Sequence, residues 1–315
     1  IAPLHGETRG AVVSCGIVPR YSDIDAYAMT AASIDEAVRN AVCVGVDLDK
    51  IAGLDNFCWP DPIESEKTPD GRYKLAQLVR SNRALDDVCR AYNLPCISGK
   101  DSMKNDAKLD GQKISIPPTL LYTVLGDHQD VRKAVSSDFK DCGDTIFLLG
   151  ETHQELGASE LSYMLAEETG GGIGNDVPQI DTTRNLALYR ALTSAMDEGL
   201  VRSAHDCSDG GLAAAIAECC FGCDGGTTIT LDGLEDVDNW AALFGESLGR
   251  IVVTVTPENV QRFGNIMGNH SVTKLGQVGD KETLEFTRDG ETVLSANLAA
   301  LLASWKGTLH MGGDV

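Results

Sequence analysis

The sequence has few positive charges for its size. Its 315 residues include 26 Lys and Arg against 47 Asp and Glu, which gives a formal net charge of −21 at pH 7. A chain of this sign repels nucleic-acid backbones and anionic membranes, so we expect neither as a partner. Any bound phosphate must be held by local devices such as backbone N–H groups, a helix N-terminus or a metal ion. The composition therefore favours small-molecule ligands accompanied by Mg2+.

Long apolar runs, internal repeats and a cysteine framework are also missing. No run approaches the roughly 18 apolar residues of a membrane span, and no repeat period is evident. The ten Cys lack regular spacing and lie mostly in apolar stretches, which is typical of reduced thiols in a cytoplasmic protein. The chain begins Ile1-Ala2-Pro3-Leu4 without an initiator Met or a signal peptide, so we expect it to be a piece of a longer protein.

Alternating strand and helix patterns predict a two-lobe α+β (α/β) fold. The apolar run 10–19 predicts a buried strand, and the periodic pattern that follows predicts a helix capped by Ser33 and ended by Gly45. A polar stretch at 129–142 precedes a second buried strand at 144–152. We therefore place a boundary near residue 140, which gives lobes of 1–140 and 141–315. Residues 306–315 are either a native end or the start of a further domain.

The predicted helix after Ser33 carries a polar pair with ligand chemistry. Glu36 and Asn40 are four residues apart, which places a carboxylate and an amide oxygen about 5–6 Å apart on one helix face. Hard oxygen ligands at this spacing suit Mg2+. The alternative is a solvated helix face with an incidental polar pair, and the spacing alone favours that alternative.

A second segment predicts a short strand at 95–98 followed by a tight turn; its sequence is Ile97-Ser98-Gly99-Lys100-Asp101-Ser102. Gly99 allows close backbone approach, and Lys100 and Ser102 are able to meet a phosphate. The GxxxxGK[ST] phosphate-binding motif is absent. An ordinary reverse turn is the alternative, and the segment alone favours it.

The third segment, at 205–212, combines acidic, hydroxyl and glycine residues ahead of a predicted helix at 211–221. Asp206 and Ser208 can serve a phosphate and its metal, while helix capping by Ser208 or Asp209 is an equal alternative. His205 is more typical of a hydrogen-bonded histidine than of a metal ligand.

Two further segments are weaker. Asp55-Asn56 at a predicted strand end can hold a polar group of a nucleotide or simply cap a turn. Cys220 and Cys223 form a CxxC pair, but no second Cys or His pair follows at zinc spacing, so we interpret them as core thiols.

In order along the chain, the segments SIDEAVRN, LDNFCWP, ALDDVCRAYNLPCISGKDSM, IPPTLLYTVLG, FLLGET, GASEL, AHDCSDGGLAAAIAE and LFGESLGRIVV resemble the C-terminal half of phosphoribosylformylglycinamidine synthase, the synthetase subunit of purine biosynthesis. The resemblance covers nearly all of residues 10–305. It implies a fold related to aminoimidazole ribonucleotide synthetase, in which an A lobe and a B lobe occur twice and the two A lobes pair into a barrel-like core. This chain would be the second A–B unit.

The resemblance also implies an activity. Family members use ATP and Mg2+ to activate the amide oxygen of formylglycinamide ribonucleotide as an iminophosphate, and ammonia from a glutaminase domain or subunit displaces phosphate to give the amidine. The family's catalytic His lies in the first A–B half, so we expect no catalytic residue here and no activity without that half. The alternative is a non-catalytic half that holds a structural ADP. The strings GKDSM and HDCSDGGL argue against selenophosphate and thiamine-phosphate synthetases.

Matching the motifs assigns roles to single residues. Asp55 and Gly99 resemble the family's ATP contacts, and Ser102 its substrate contact. Lys100 replaces an Asn that binds Mg2+ in small-type members, and a lysine–phosphate contact suits it better. An auxiliary nucleotide site of large-type members implies the metal ligands Glu36, Asn40 and Asp206 and the nucleotide contact Ser208.

Two more expectations follow from the resemblance. Ser14 stands where that auxiliary set has an Asp, so we expect fewer or more weakly held Mg2+ ions. Because two A lobes must pair to bury their sheet edges, we expect this chain to self-associate through residues 10–125.

Overall fold

Two separate β-sheets organise the chain. The computed structural model describes residues 1–223 and 225–307, so most of the segment 306–315 discussed above lies outside it. The first sheet has the order β1-β6-β2-β3, and β4 and β5 form a separate hairpin. These strands are β1 Gly10–Gly16, β2 Ile51–Cys58, β3 Cys96–Ser102, β4 Asp106–Leu109, β5 Gln112–Ser115 and β6 Thr119–His128.

Two helices, α1 (Ala26–Cys43) and α2 (Gly71–Ala91), cover one face of the first sheet. Side chains of alternate residues, such as Val12 on β1 and Tyr122 on β6, are buried against them. The intervening residues point to the other face, where Val13 is 54% exposed. The first sheet therefore has one covered face and one open face, as strand alternation requires.

The second sheet has seven strands in the order β13-β12-β9-β11-β7-β10-β8. They are β7 Thr145–Leu149, β8 Val201–Asp206, β9 Thr228–Thr230, β10 Ile251–Val255, β11 Val272–Gln277, β12 Thr283–Arg288 and β13 Glu291–Asn297. The accompanying helices are α3 Glu160–Thr169, α4 Thr182–Asp197, α5 Gly211–Phe221, α6 Asn239–Phe244, α7 Val260–Met267 and α8 Leu298–Gly307. No helix in the described ranges is both long and apolar enough to cross a membrane.

One hydrophobic core joins the two sheets. It runs from buried residues of α1 and α2 through Leu188 and Leu192 of α4 to Phe147 of β7 and Phe263 of α7. A second core lies on the other face of the second sheet, beneath α5 and α6. The α+β fold class is therefore confirmed, whereas the division at residue 140 stays a prediction.

Two local expectations are corrected. The first helix starts at Ala26 rather than Ser33, because Asp25 accepts the N–H groups of Tyr27 and Ala28 while the hydroxyl of Ser33 donates to the carbonyl of Met29 inside the helix. The turn expected at Gly99-Lys100 is wrong, because β3 stays extended through both residues and pairs in parallel with β2.

The β4–β5 hairpin was not expected from the sequence. Its turn consists of Asp110 (φ 50°) and Gly111 (φ 83°), both in the left-handed region. An Asp-Gly pair is the usual sequence signal for this two-residue hairpin turn, so the signal was present.

A buried ion pair connects the helices of the two sheets. Arg39 donates to Asp35 one turn earlier on α1, and the two side chains are 2% and 0% exposed. The other oxygen of Asp35, Oδ1, accepts hydrogen bonds from Tyr92 Oη (2.5 Å), Asn185 Nδ2 (3.0 Å) and Tyr189 Oη (2.9 Å). The hydrogen bonds of Asp35 therefore link α1 both to α4 and to the C-terminal end of α2.

Replacing Asp35 with Ala is expected to lower the free energy of unfolding by about 3–5 kcal/mol, because Arg39 then stays buried without its partner. Urea unfolding followed by circular dichroism measures this. The control Asp86→Ala removes the exposed partner of Arg90 on α2, and its effect should stay below about 1 kcal/mol. Equal losses in the two variants would contradict the role given to Asp35.

Candidate functional site

The first candidate site lies on the two parallel strands β2 and β3, where Asp55 is paired with Gly99. A Cβ atom on residue 99 would lie 2.6 Å from Oδ2 and 2.7 Å from Oδ1 of Asp55, so the glycine lets this carboxylate lie directly against β3. Burial raises the pKa of Asp55, and the nearby charge of Asp101 adds to the effect. The structure thus brings together the two predicted ATP contacts.

Lys100 and Ser102 lie on the opposite face of the same strands. They are paired with Asn56 and Cys58, which alternate with Asp55 and therefore point to the open face of the first sheet. Ser102 Oγ donates to Asn105 Oδ1 over 3.2 Å, and Asn56 Oδ1 is buried without a hydrogen-bond partner. The four residues, which we call the edge site (Asp55, Gly99, Lys100 and Ser102), are close along the strands but divided between two faces.

The second candidate site lies where α1 meets the end of β8. Arg39 reaches across from α1, where its Nη2 donates to Ser208 Oγ over 2.9 Å and its Nε lies 4.0 Å from Asp206 Oδ2. Ser208 Oγ in turn donates to Asp206 Oδ2 over 2.5 Å. We call Glu36, Arg39, Asp206 and Ser208 the junction cluster.

His205 and Asp206 form a charged pair at the end of β8. His205 Nε2 lies 2.7 Å from Glu218 Oε2, and Nδ1 lies 3.5 Å from Asp206 Oδ1. Burial lowers the pKa of His205, but the two carboxylates outweigh it and raise the pKa to about 9. Burial raises the pKa of Asp206, whereas His205, Arg39 and Ser208 bring it down to about 2. Both ring nitrogens of His205 therefore face carboxylates.

Glu36 and its surroundings are short of positive charge. Its Oε2 accepts the N–H of Ile17 over 2.8 Å. Burial raises the pKa of Glu36 to about 7, with the charges of Asp206 and Asp209 adding to the effect and Arg39 opposing it. Asn40 is exposed on α1, one turn after Glu36.

Glu246, which the sequence did not single out, lies beside this cluster. Its Oε1 accepts the N–H groups of Glu160 and Gly210, each over 2.9 Å. Burial raises its pKa to about 7. Gly210 is the N-cap residue of α5, and no side chain caps the helix. The expectation that Ser208 or Asp209 caps the helix is therefore wrong.

The junction cluster offers oxygen ligands but no complete metal site. Among residues 1–223 and 225–307, no three His, Cys, Asp or Glu side chains gather as a complete metal site. Mg2+ usually takes only one or two carboxylates and completes its shell with water and substrate phosphates. Glu36 and Asp206 can supply those carboxylates. Arg39 Nε is buried without a hydrogen-bond partner and lies 4.0 Å from Asp206 Oδ2, so this donor is held only by charge attraction.

Two other predicted positions have local partners. Residue 14 is a serine, so β1 contributes no carboxylate at this position. Its Oγ donates to the carbonyl of Ala37 over 2.7 Å. Cys220 is buried beneath the second sheet, and Cys223 Sγ donates to the carbonyl of Cys220 over 3.4 Å. Arg39 was missed as a site residue, although a charged residue between the apolar positions Val38 and Ala41 was a visible signal.

The two sheets correspond to two known domain models. The N-terminal domain model of the AIR synthase related proteins matches residues 2–126, and their C-terminal domain model matches residues 142–289. The chain therefore belongs to the AIR synthase related proteins.

Solved structures of known proteins share this fold. PurL of Thermotoga maritima, complexed with FGAR, superposes with a TM-score of 0.74 at 18% identity, covering 93% of this chain and 46% of that chain. Phosphoribosylformylglycinamidine synthase II of Thermotoga maritima gives a TM-score of 0.73 at 17% identity, over 94% of this chain and 45% of the other. This chain thus spans a little under half the length of these relatives.

A shorter protein is also similar. HypE, in a HypE–HypF complex, gives a TM-score of 0.66 at 14% identity, covering 93% of this chain and 92% of that chain. At such identities the similarity shows the fold, and the activity has to be argued from the residues of the site.

Glu36→Gln is expected to stabilise the metal-free protein at high pH. Because the pKa of Glu36 is about 7 in the folded state against an ordinary value of 4.5, the folded state binds more protons between these pH values, and stability falls as the pH rises through them. The variant should gain up to about 3 kcal/mol near pH 8, and the gain should fade toward pH 4.5.

Thermal and urea unfolding in the presence of a chelator measure the effect. Glu167→Gln, an exposed change on α3, is the matched control and should show no pH-dependent gain. If Glu36→Gln changed the stability equally across the pH range, the raised pKa would be refuted.

Proposed function

We propose that this chain is the second half of an ATP- and Mg2+-dependent ligase of purine biosynthesis, which converts formylglycinamide ribonucleotide to its amidine with glutamine-derived ammonia. The observation that carries the proposal is the junction cluster, in which carboxylates from α1 and β8 lie beside a buried arginine. Such a pairing suits a magnesium-bound phosphate chain. The fold shared with PurL structures complexed with FGAR, ATP and ADP supports it.

Each group of residues has a distinct role in this proposal. Glu36, Asn40 and Asp206 hold Mg2+, and Ser208 contacts the nucleotide with help from Arg39. Asp55 accepts hydrogen bonds from a nucleotide, and Gly99 lets its carboxylate lie against β3. Lys100 pairs with a phosphate, and Ser102 on the same face of the sheet contacts the substrate. Bound Mg2+ neutralises charge on the transferred phosphate.

The open face of the first sheet is the surface on which we expect a partner to bind. Both edge strands, β1 and β3, have one unpaired edge, and Val13 is exposed on the open face. We propose that the first A–B half of the enzyme covers this face, that a second copy of the chain does so in its absence, and that a glutaminase domain or subunit supplies ammonia. Without the first half the chain lacks the family's catalytic His and is inactive. We propose a cytoplasmic location.

A second candidate function is a non-catalytic half that holds a structural ADP. Two observations favour it. Arg39 already lies beside Asp206 and Ser208, and Ser14 donates to a helix carbonyl where a further carboxylate would strengthen metal binding. A structural nucleotide resists dialysis, whereas a working site releases ADP.

Asp206→Ala is expected to weaken Mg2+-dependent ADP binding at least about tenfold, because it removes both a metal ligand and the acceptor for Ser208. Asp209→Ala should weaken binding less. Isothermal titration with and without Mg2+, after complete removal of nucleotide, measures both.

Asp197→Ala, an exposed change at the end of α4, is the control and should bind as the unchanged chain does. Equal losses in Asp206→Ala and Asp209→Ala would remove the distinction between the two carboxylates. No binding by the unchanged chain would mean that the missing half completes the site.

Val13→Asp is expected to abolish self-association, because it places a charge on the open apolar face of the first sheet. Light scattering of the unchanged chain should show a mass that rises above 33.5 kDa with concentration. Val79→Asp, at a 47% exposed position on α2, should leave association intact. A strict monomer at high protein concentration would contradict the proposed pairing.

A further inference from the structure

Two cysteines meet where α2 ends and β3 begins. Cys89 Sγ on the last turn of α2 lies 3.7 Å from Cys96 Sγ, the first residue of β3. The hydroxyl of Tyr122 lies 3.2 Å from each sulfur atom. Cys89 is buried and Cys96 is exposed. We propose that Cys89 and Cys96 form an oxidation site, at which hydrogen peroxide closes a disulfide bond between α2 and β3.

Access to this pair comes from one side. Both cysteines line an open groove of about 790 Å³, with Ile51, Leu85 and Leu94 among the other lining residues. A small neutral oxidant can reach Cys96 from solvent, while Cys89 is buried. The exposed thiol is therefore the one oxidised first, and the buried thiol resolves it.

Tyr122 holds the two sulfur atoms in place. A Cβ on Gly53 would lie 1.9 Å from the Tyr122 hydroxyl. Because residue 53 is a glycine, the phenol can pack directly on β2 beside both thiols. Burial raises the pKa of Tyr122, which keeps the phenol protonated and able to donate to sulfur. Burial also raises the pKa of Cys89 to about 12, so this sulfur carries a proton at neutral pH and releases it in the second step.

The chemistry takes two balanced steps. The sulfur of Cys96 attacks one peroxide oxygen, the O–O bond breaks, and sulfenic acid forms at Cys96 with release of water. The sulfur of Cys89 then attacks the sulfenic sulfur, the S–O bond breaks, and the hydroxyl leaves with the Cys89 proton as a second water. Each sulfur loses one electron in total, and the peroxide gains two.

The bond would anchor an exposed edge strand. β3 is paired only with β2, and its first six residues are exposed. Its pairing is irregular near its start, where Gly53 faces Cys96 and Leu54 faces Ser98. A covalent link at Cys96 restrains fraying from this end, and we expect slower amide exchange across β3 in the oxidised protein.

The test treats the whole chain with hydrogen peroxide and maps disulfides by mass spectrometry. We expect a peptide that joins Cys89 to Cys96, lost on treatment with dithiothreitol. In Cys89→Ser the sulfenic acid at Cys96 should persist and be trapped by dimedone. Cys142→Ser, a change at another exposed cysteine, is the control and should still form the bond.

Several results would overturn the proposal. One is the absence of the joined peptide while Cys142 is oxidised. Another is conversion of Cys96 directly to sulfinic acid in the unchanged chain. Hydrogen–deuterium exchange supplies an independent readout, and unchanged exchange of peptide 96–102 in the linked protein would refute the anchoring of β3. Cys96→Ser, an exposed change, keeps the test valid if Cys89→Ser fails to fold.

Discussion

The buried pair of Asp35 and Arg39 is the interaction on which the rest of this structure depends. Asp35 accepts hydrogen bonds from α2 and α4 as well as from Arg39. Burying two charges is costly unless nearly every donor and acceptor is used, and here both oxygens of Asp35 are used. The pair fixes α4 against α1, and so fixes the second sheet relative to the first. It also aims the other side of the guanidinium at Asp206 and Ser208.

The local charge balance explains what the junction cluster is suited to bind. The chain as a whole is strongly acidic, and Glu36 and Glu246 both have pKa values of about 7 because burial and neighbouring carboxylates disfavour their charged forms. In the proposed function, a divalent cation relieves that repulsion and a phosphate chain on the cation meets Arg39.

The edge site obeys a different constraint, which is the alternation of side chains along a strand. Asp55 and Gly99 face the helices, while Lys100 and Ser102 face the open side of the sheet. Residues adjacent in sequence therefore serve two surfaces, and whatever covers the open face also covers Lys100 and Ser102. In the proposed function, nucleotide contacts and partner contacts are linked through one edge strand, β3, whose first residue is Cys96 of the thiol pair.

The sequence alone determined the α+β class, the positions of elements such as β1, β7 and α5, and the identity of the polar motifs, because periodicity and turn residues act over a few neighbours. It did not locate the start of α1, since Asp25 caps the helix from outside the apolar pattern. It also predicted a turn at Gly99 and Lys100, because only pairing with β2 keeps these residues extended. Tertiary structure alone brought Arg39 to Asp206, Glu246 to α5 and Cys89 to Cys96. These partners are distant in sequence or lie on different elements, and only packing decides which buried groups must satisfy one another.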